Sequence, residues 1–241
     1  MNMALHRSPS VDEAAGACAR MMLSSLEAAL ERTQHATLAV SGGSAPRLLF
    51  PKLLQRPFPW QRVHLFWVDE RPVPPDHEDS NYRAAEEYLI RPAGIPAENI
   101  HRIESEYTPH EAAERYVEEI RRFFLLKSGE LPNFDVIQCG MGSDVHTASL
   151  FPGEPLIHDR IGIAAAVHVG KLRQSRITLL PGVLLKAHEL IFLATGEDKA
   201  QGLRAVFEGE SDALRYPAQA IAREAVSVHW FADEGATLML P

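Results

Sequence analysis

"HATLAVSGGSAPRLLFPKLLQ", residues 35–55, sets the architecture. Its first part is a short apolar run of the length of a buried strand. Two glycines end it, and Leu and Phe then recur at helical spacing, with Pro46 in the first turn where a helix tolerates it. A strand apolar on both faces belongs inside a covered sheet, and a helix directly after it is how a parallel sheet returns its chain. The same unit recurs on either side. "VHLFWVDE" reads as a second buried strand, "RPVPPDHEDS" as a Pro-rich loop, and "NYRAAEEYLI" as a helix stopping at Arg91-Pro92. "ENIHRI" reads as a short strand, "TPHEAAERYVEEIRRFFLL" as a long amphipathic helix and "FDVIQCG" as a strand. Upstream, Ser10 and Glu13 have the spacing of a capping box for a helix reaching about Arg32. Downstream, "AAAVHV", "RITLLPG" and "ELIFLATG" read as strands and "EDKAQGLRAVFEG" as a helix, before a closing helix, strand and helix in "PAQAIARE", "VSVHWFAD" and "EGATLML". The expectation is an α/β fold: a mainly parallel, Rossmann-like doubly wound sheet with helices on both faces, in one domain spanning residues 1–241.

Composition narrows the partners. The chain has 241 residues, 46% of them apolar, and a formal net charge of −8. That is ample for a core. No basic run stands out, which argues against nucleic acid and anionic membrane, so an anionic ligand would need a local cationic pocket. The two cysteines, Cys18 and Cys139, are too few for a disulfide framework and read as buried thiols. No CxxC or HExxH spacing suggests a metal, no apolar run approaches the roughly 18 residues of a membrane span, and the first residues lack a signal-peptide core. The expected setting is the cytoplasm.

In such a sheet the ligand binds outside the carboxyl ends of the strands. The loops there are "SGGS", "DERPVPPDHEDSN", "CGMGSDVHTAS" and "TGEDK". Gly42, Gly43 and Ser44 leave backbone N–H groups at a helix N-terminus, a ready anion site. No GK[ST] or GxGxxG pattern follows them, which disfavours ATP and NAD. Asp69 emerges from the core, and Arg71 beside it suits bidentate phosphate or carboxylate binding. Lys199 opens a helix after a buried strand. His146 follows Gly140 and Gly142 at a strand end, and an imidazole titrating near neutral pH suits activation of water. His64, His101, His168, His188 and His229 read as strand or surface residues with no partner pattern. No GxSxG elbow supports a serine nucleophile.

"AVSGGSAPRLL", "VDERPVPPDHEDSN", "GMGSDVHTASLFPG", "RITLLPGVL" and "LATGEDKA" occur in that order over essentially the whole chain, which resembles the 6-phosphogluconolactonase family. The blocks of the related glucosamine-6-phosphate deaminases, DEY and GxDGHIAFNEP, are absent. The resemblance implies hydrolysis of 6-phospho-D-glucono-1,5-lactone without a cofactor, with a phosphorylated sugar lactone as the small-molecule partner; no metal is expected, and the expected assembly is a monomer or weak homodimer. His146 would be the base, oriented by Asp69 or Asp144, with Asp69 the favoured partner. Arg71, Lys199 and Arg176, with Asn81 and the Gly42–Ser44 amides, would hold substrate and phosphate, and amides near Gly42 to Ser44 or Gly142 to Ser143 would stabilise an oxyanion. One departure stands out: Val145 occupies the position where the family reads Gly in D-G-H-T. The intact blocks around it lead to the expectation of a negative φ at Val145 and a working site. The alternatives are a sugar-phosphate-binding regulator without turnover and a deaminase-like isomerase.

Overall fold

Strand and helix alternate along most of the chain in the computed structural model, which describes residues 3–241 apart from the Lys171 side chain. In chain order the strands are β1 (Met3–Ser8), β2 (Ala36–Val40), β3 (Val63–Trp67), β4 (Asp69–Glu70), β5 (Ile100–His101), β6 (Val136–Gly140), β7 (Ala164–Val169), β8 (Gln174–Leu179), β9 (Glu189–Leu193) and β10 (Val228–Asp233). The helices are α1 (Val11–Arg32), α2 (Ala45–Leu53), α3 (Asn81–Ala85), α4 (Arg91–Ala93), α5 (Pro109–Phe123), α6 (Pro181–Lys186), α7 (Ala200–Glu208), α8 (Pro217–Glu224) and α9 (Glu234–Thr237). Ser10 caps α1, its Oγ accepting from the Glu13 amide at 3.3 Å.

Seven strands form a parallel sheet in the order β1-β10-β9-β6-β2-β3-β5. From β2 the chain winds outward through β3 to β5, then returns to β6 and winds the other way through β9 to β10. The order reverses between β2 and β6, which pair through Leu38 with Val136 and Ala39 with Ile137. Loops leaving two such strands diverge to opposite faces and open a crevice at their carboxyl ends. The "SGGS" and "GMGSDVH" loops are those two loops. The core beneath them is close-packed: Phe50, Phe66, Trp67, Phe134, Phe192 and Trp230 are fully buried. Phe192 and Trp230 stack at 4.0 Å between centroids. Each such burial stabilises by roughly 1.5–3 kcal/mol.

Several elements depart from the sequence expectation. β1 was not anticipated; it is an edge strand whose register is set by β10, with Ala4 opposite His229. β7 and β8 form a separate antiparallel sheet with the two-residue β4, in which Asp69 lies opposite Thr178. Val68 joins the two sheets: its N–H donates to Val40 O at 2.9 Å and its carbonyl accepts from Leu179 N at 2.8 Å. The helix from Asn81 does not stop at Arg91-Pro92 but runs through Pro92 to Gly94, whose φ is +65°. A π turn over Glu86–Ile90 widens the ladder ahead of the proline, and that relieves the clash of its ring with the preceding carbonyl. Cys18 and Cys139 are free and buried, as expected.

The strand histidines also have partners. His64 Nδ1 lies 2.9 Å from His101 Nε2, and His101 Nδ1 lies 2.7 Å from Glu119 Oε1. A Glu119 carboxylate can only accept, so the consistent assignment has His101 donating to Glu119 and His64 donating to His101, both rings neutral. Burial pushes both imidazoles down to about 4, aided at His101 by the Arg122 charge and at His64 by the adjoining imidazoles, which resist a second proton beside them. His6 and His229 pair in the same way at 3.0 Å.

Candidate active site

The crevice between β2 and β6 holds a cavity of about 230 Å³. Gly42, Gly43 and Ser44 from the β2 loop line it, with Asp69, Arg71 and Asn81, Gly142 and His146, and Lys199. Four segments far apart in sequence therefore meet where the strand order predicts a ligand.

His146 is fixed by its own turn. Gly142 N donates to His146 O at 2.9 Å, Val145 N to Gly142 O at 3.0 Å, and Thr147 Oγ1 to Gly140 O at 2.9 Å. His146 Nδ1 is 2.5 Å from Asp144 Oδ1, and Phe151 stacks on the imidazole at 4.1 Å between centroids. Gly142 makes this possible, because a Cβ there would fall 2.1 Å from His146 Nδ1 and 2.6 Å from Asp144 Oδ1. With Nδ1–H donated to Asp144, the Nε2 lone pair is left to accept a proton. The dyad is about a quarter exposed, so solvent water has access to it.

Asp69 does not orient His146, contrary to the sequence expectation. It lines the cavity, but its Oδ2 accepts from Ser149 Oγ at 2.7 Å and its backbone pairs in β4 with β8. Asp144 has the advantage of lying in the same turn as the imidazole. The expectation of a negative φ at Val145 is also overturned: φ is +66°. A β-branched residue there costs about 1–3 kcal/mol. The surroundings hold it in place, since Val145 O accepts from the Ala218 amide at 2.9 Å and the side chain is buried.

The loop after β4 is organised by Glu70, which the sequence reading passed over. Its buried carboxylate accepts from the amides of Arg71, Asn81 and Tyr82, each at 2.8 Å, and from Ser80 Oγ at 3.2 Å. Burial raises its pKa while these donors oppose the rise. The bonds tie both ends of the 71–80 loop together. Asn81 Nδ2 then donates to Asp69 O at 2.8 Å, with its amide packed on Gly42, where a Cβ would be 1.7 Å from Asn81 Oδ1. Arg71 is steadied by donating to Asp79 O.

Not every expected residue lines the cavity. Arg176 lines an adjoining cleft of about 270 Å³ with Arg71 and Asp79. Burial, and next the Arg71 charge, holds its guanidinium below the usual range. Ser143 lies off the lining, and the Gly142 amide is already used by His146 O. The Gly42, Gly43 and Ser44 amides have no acceptor among the described residues, and no side chain caps α2. Met141, Ala148, Leu193 and Thr195 also line the wall, with no signal in sequence beyond their neighbours. Lys199 enters beside Asp198, 2.7 Å from its Nζ. Among the described residues no group of three or more His, Cys, Asp or Glu is placed to hold a metal, and no helix is long and apolar enough to cross a membrane.

A family model for glucosamine-6-phosphate isomerases/6-phosphogluconolactonase matches residues 9–230. The chain belongs to this family. It is 36% identical to a 6-phosphogluconolactonase of Nostoc sp., over 90% of this chain and 89% of that one. It is 35% identical to the 6-phosphogluconolactonase of Rattus norvegicus, over 84% and 80%. The solved 6-phosphogluconolactonase of Trypanosoma brucei superposes with a TM-score of 0.87 at 25% identity, covering 99% of this chain and 98% of that one. The fold expected from the sequence is the fold of this family.

Proposed function

We propose that residues 1–241 act as one domain that hydrolyses 6-phospho-D-glucono-1,5-lactone to 6-phosphogluconate, the lactone-opening step of the oxidative pentose phosphate pathway. The observation that carries the proposal is His146, held by Asp144 at 2.5 Å, in a cavity that it shares with Arg71, Lys199 and the open amides of the β2 loop. Nε2 of His146 takes a proton from water as the water oxygen attacks the lactone carbonyl. The carbonyl oxygen becomes an oxyanion and draws on the Gly42 to Ser44 amides. The tetrahedral centre collapses, the ring C–O bond breaks, and His146 returns its proton to the ring oxygen, which leaves as a hydroxyl. Asp144 keeps Nδ1 protonated throughout and stabilises the transient imidazolium. Arg71 and Lys199 take the phosphate, and Arg176 contributes positive charge from the adjoining cleft. We take the enzyme to work in the cytoplasm as a monomer or weak homodimer, which light scattering of the purified chain checks for its assembly.

The test is lactone hydrolysis corrected for the spontaneous reaction, with wild type compared to His146→Ala. Acceleration by wild type alone supports the proposal, and a wild-type rate equal to background ends it. Val145 at φ +66° is the one observation favouring a binding protein without turnover. That reading requires 6-phosphogluconate to bind while the lactone is left untouched. Release of ammonia from glucosamine 6-phosphate would instead select the deaminase reaction.

A further inference from the structure

Val145 and Gly202 are each a poor choice for the backbone they occupy. Val145 is β-branched and left-handed. Gly202 is the third residue of α7, and glycine weakens a helix interior. The two positions face each other. A Cβ on Gly202 would lie 3.3 Å from Val145 Cγ2 and 3.0 Å from Met141 Cε. Met141 has rotatable bonds with which to withdraw its methyl. Val145 does not: its side chain is stiff at χ1. Its backbone is also held on both sides, by Gly142 O at 3.0 Å and by the Ala218 amide at 2.9 Å. Any atom added at 202 therefore presses on the turn that carries His146.

We infer that Gly202 is a positioning residue for His146, acting through Val145: the room taken up by a side chain in the catalytic turn is supplied by the missing side chain on the helix opposite. The inference rests on the reading of His146 as the base. It also explains how a valine stands in this turn while the Asp144–His146 hydrogen bond is kept. Because α7 starts directly after Lys199, the same contact sets the spacing between the base and that cation. The constraint belongs to the pair, so a side chain can be exchanged between the two positions but not carried at both.

The experiment measures kcat, KM and thermal midpoint for the full chain on the phosphorylated lactone, with background hydrolysis subtracted. The variants are Gly202→Ala, Gly202→Val, Val145→Gly and the exchange Val145→Gly/Gly202→Val. Displacing a catalytic group by about an ångström costs on the order of a hundredfold, so Gly202→Val is expected to lower kcat by about tenfold or more, with KM changed less. Gly202→Ala falls between Gly202→Val and wild type, and it carries the test if Gly202→Val fails to fold. Val145→Gly alone stays within about tenfold of wild type, a barrier change under about 1.4 kcal/mol. The exchange returns kcat to the level of Val145→Gly. Wild-type kcat in both Gly202 variants, or an exchange whose loss is the product of the single losses, overturns the inference while leaving the lactonase reading standing. Absence of hydrolysis by wild type overturns both.

Discussion

His146 Nδ1 and Asp144 Oδ1 are 2.5 Å apart within a single turn, so the base carries its orienting carboxylate with it. Asp69, from a different strand, is bound to Ser149 instead. Asp144→Asn presents an amide that can donate to Nδ1, which moves the ring proton to Nε2 and removes the acceptor that water needs. A fall in kcat of about 10²–10⁴ is expected, with KM little changed, and His146→Ala should fall in the same range. Asp69→Asn should cost much less in kcat. Steady-state kinetics of the three variants checks this, and a wild-type kcat in Asp144→Asn would remove the dyad from the mechanism.

Arg71 and Lys199 enter the cavity from loops after different strands, which suits them to one dianionic group. Replacing either by Ala is expected to weaken the phosphorylated lactone by roughly 1.5–3 kcal/mol, the worth of a charge-assisted hydrogen bond. An unphosphorylated lactone should be affected far less. Arg176→Ala, whose side chain lies in the adjoining cleft, should show a smaller difference. Inhibition constants for 6-phosphogluconate and gluconate across the three variants make the comparison, and equal losses for both ligands would assign these cations to the fold.

The crevice was legible because β2 and β6 are short, mostly apolar, buried runs leading into glycines, and parallel topology puts their loops side by side. The identity of the orienting acid was not. Asp69 and Asp144 both precede chemistry-bearing residues, and only the conformation of the turn decides which carboxylate reaches Nδ1. That conformation depends on Val145 adopting positive φ, which local preference opposes and which is held by the bond from the Ala218 amide of α8 and by Gly142 O within the turn. β4 was hidden for another reason. Two residues have no periodicity, and Asp69 and Glu70 become a strand only by pairing with β8, more than a hundred positions away. Glu70 reads in sequence as one charge in a charged loop, and its role appears only when four donors converge on it.

The proposed chemistry runs on a neutral imidazole, and among the described residues no cluster is arranged as metal ligands. Full activity is expected after exhaustive dialysis against EDTA, with no gain on adding Mg²⁺, Mn²⁺ or Zn²⁺. Loss of activity restored by a stoichiometric divalent ion would make His146 a ligand rather than a base.

Acid should destabilise the fold through the Glu119–His101–His64 chain on β3, β5 and α5 at the edge of the sheet. In the native state His64 and His101 stay neutral down to about 4, chiefly through burial. In the unfolded chain they titrate near 6.5. Between these values the unfolded state binds protons that the native state refuses, so stability falls as pH falls, and the loss is complete below about 4. Above 6.5 both states are neutral and this contribution is flat. Glu70 works in the opposite direction, because burial raises its native pKa, so the histidine effect is best isolated as a difference between proteins. His64→Phe removes one of the two groups while keeping a ring beside Phe123 and His101. Urea midpoints at pH 7.5 and pH 4.5 are expected to drop for both proteins, and to drop less for His64→Phe. An equal drop in the two would show that His64 charges as readily in the folded protein as in the unfolded chain.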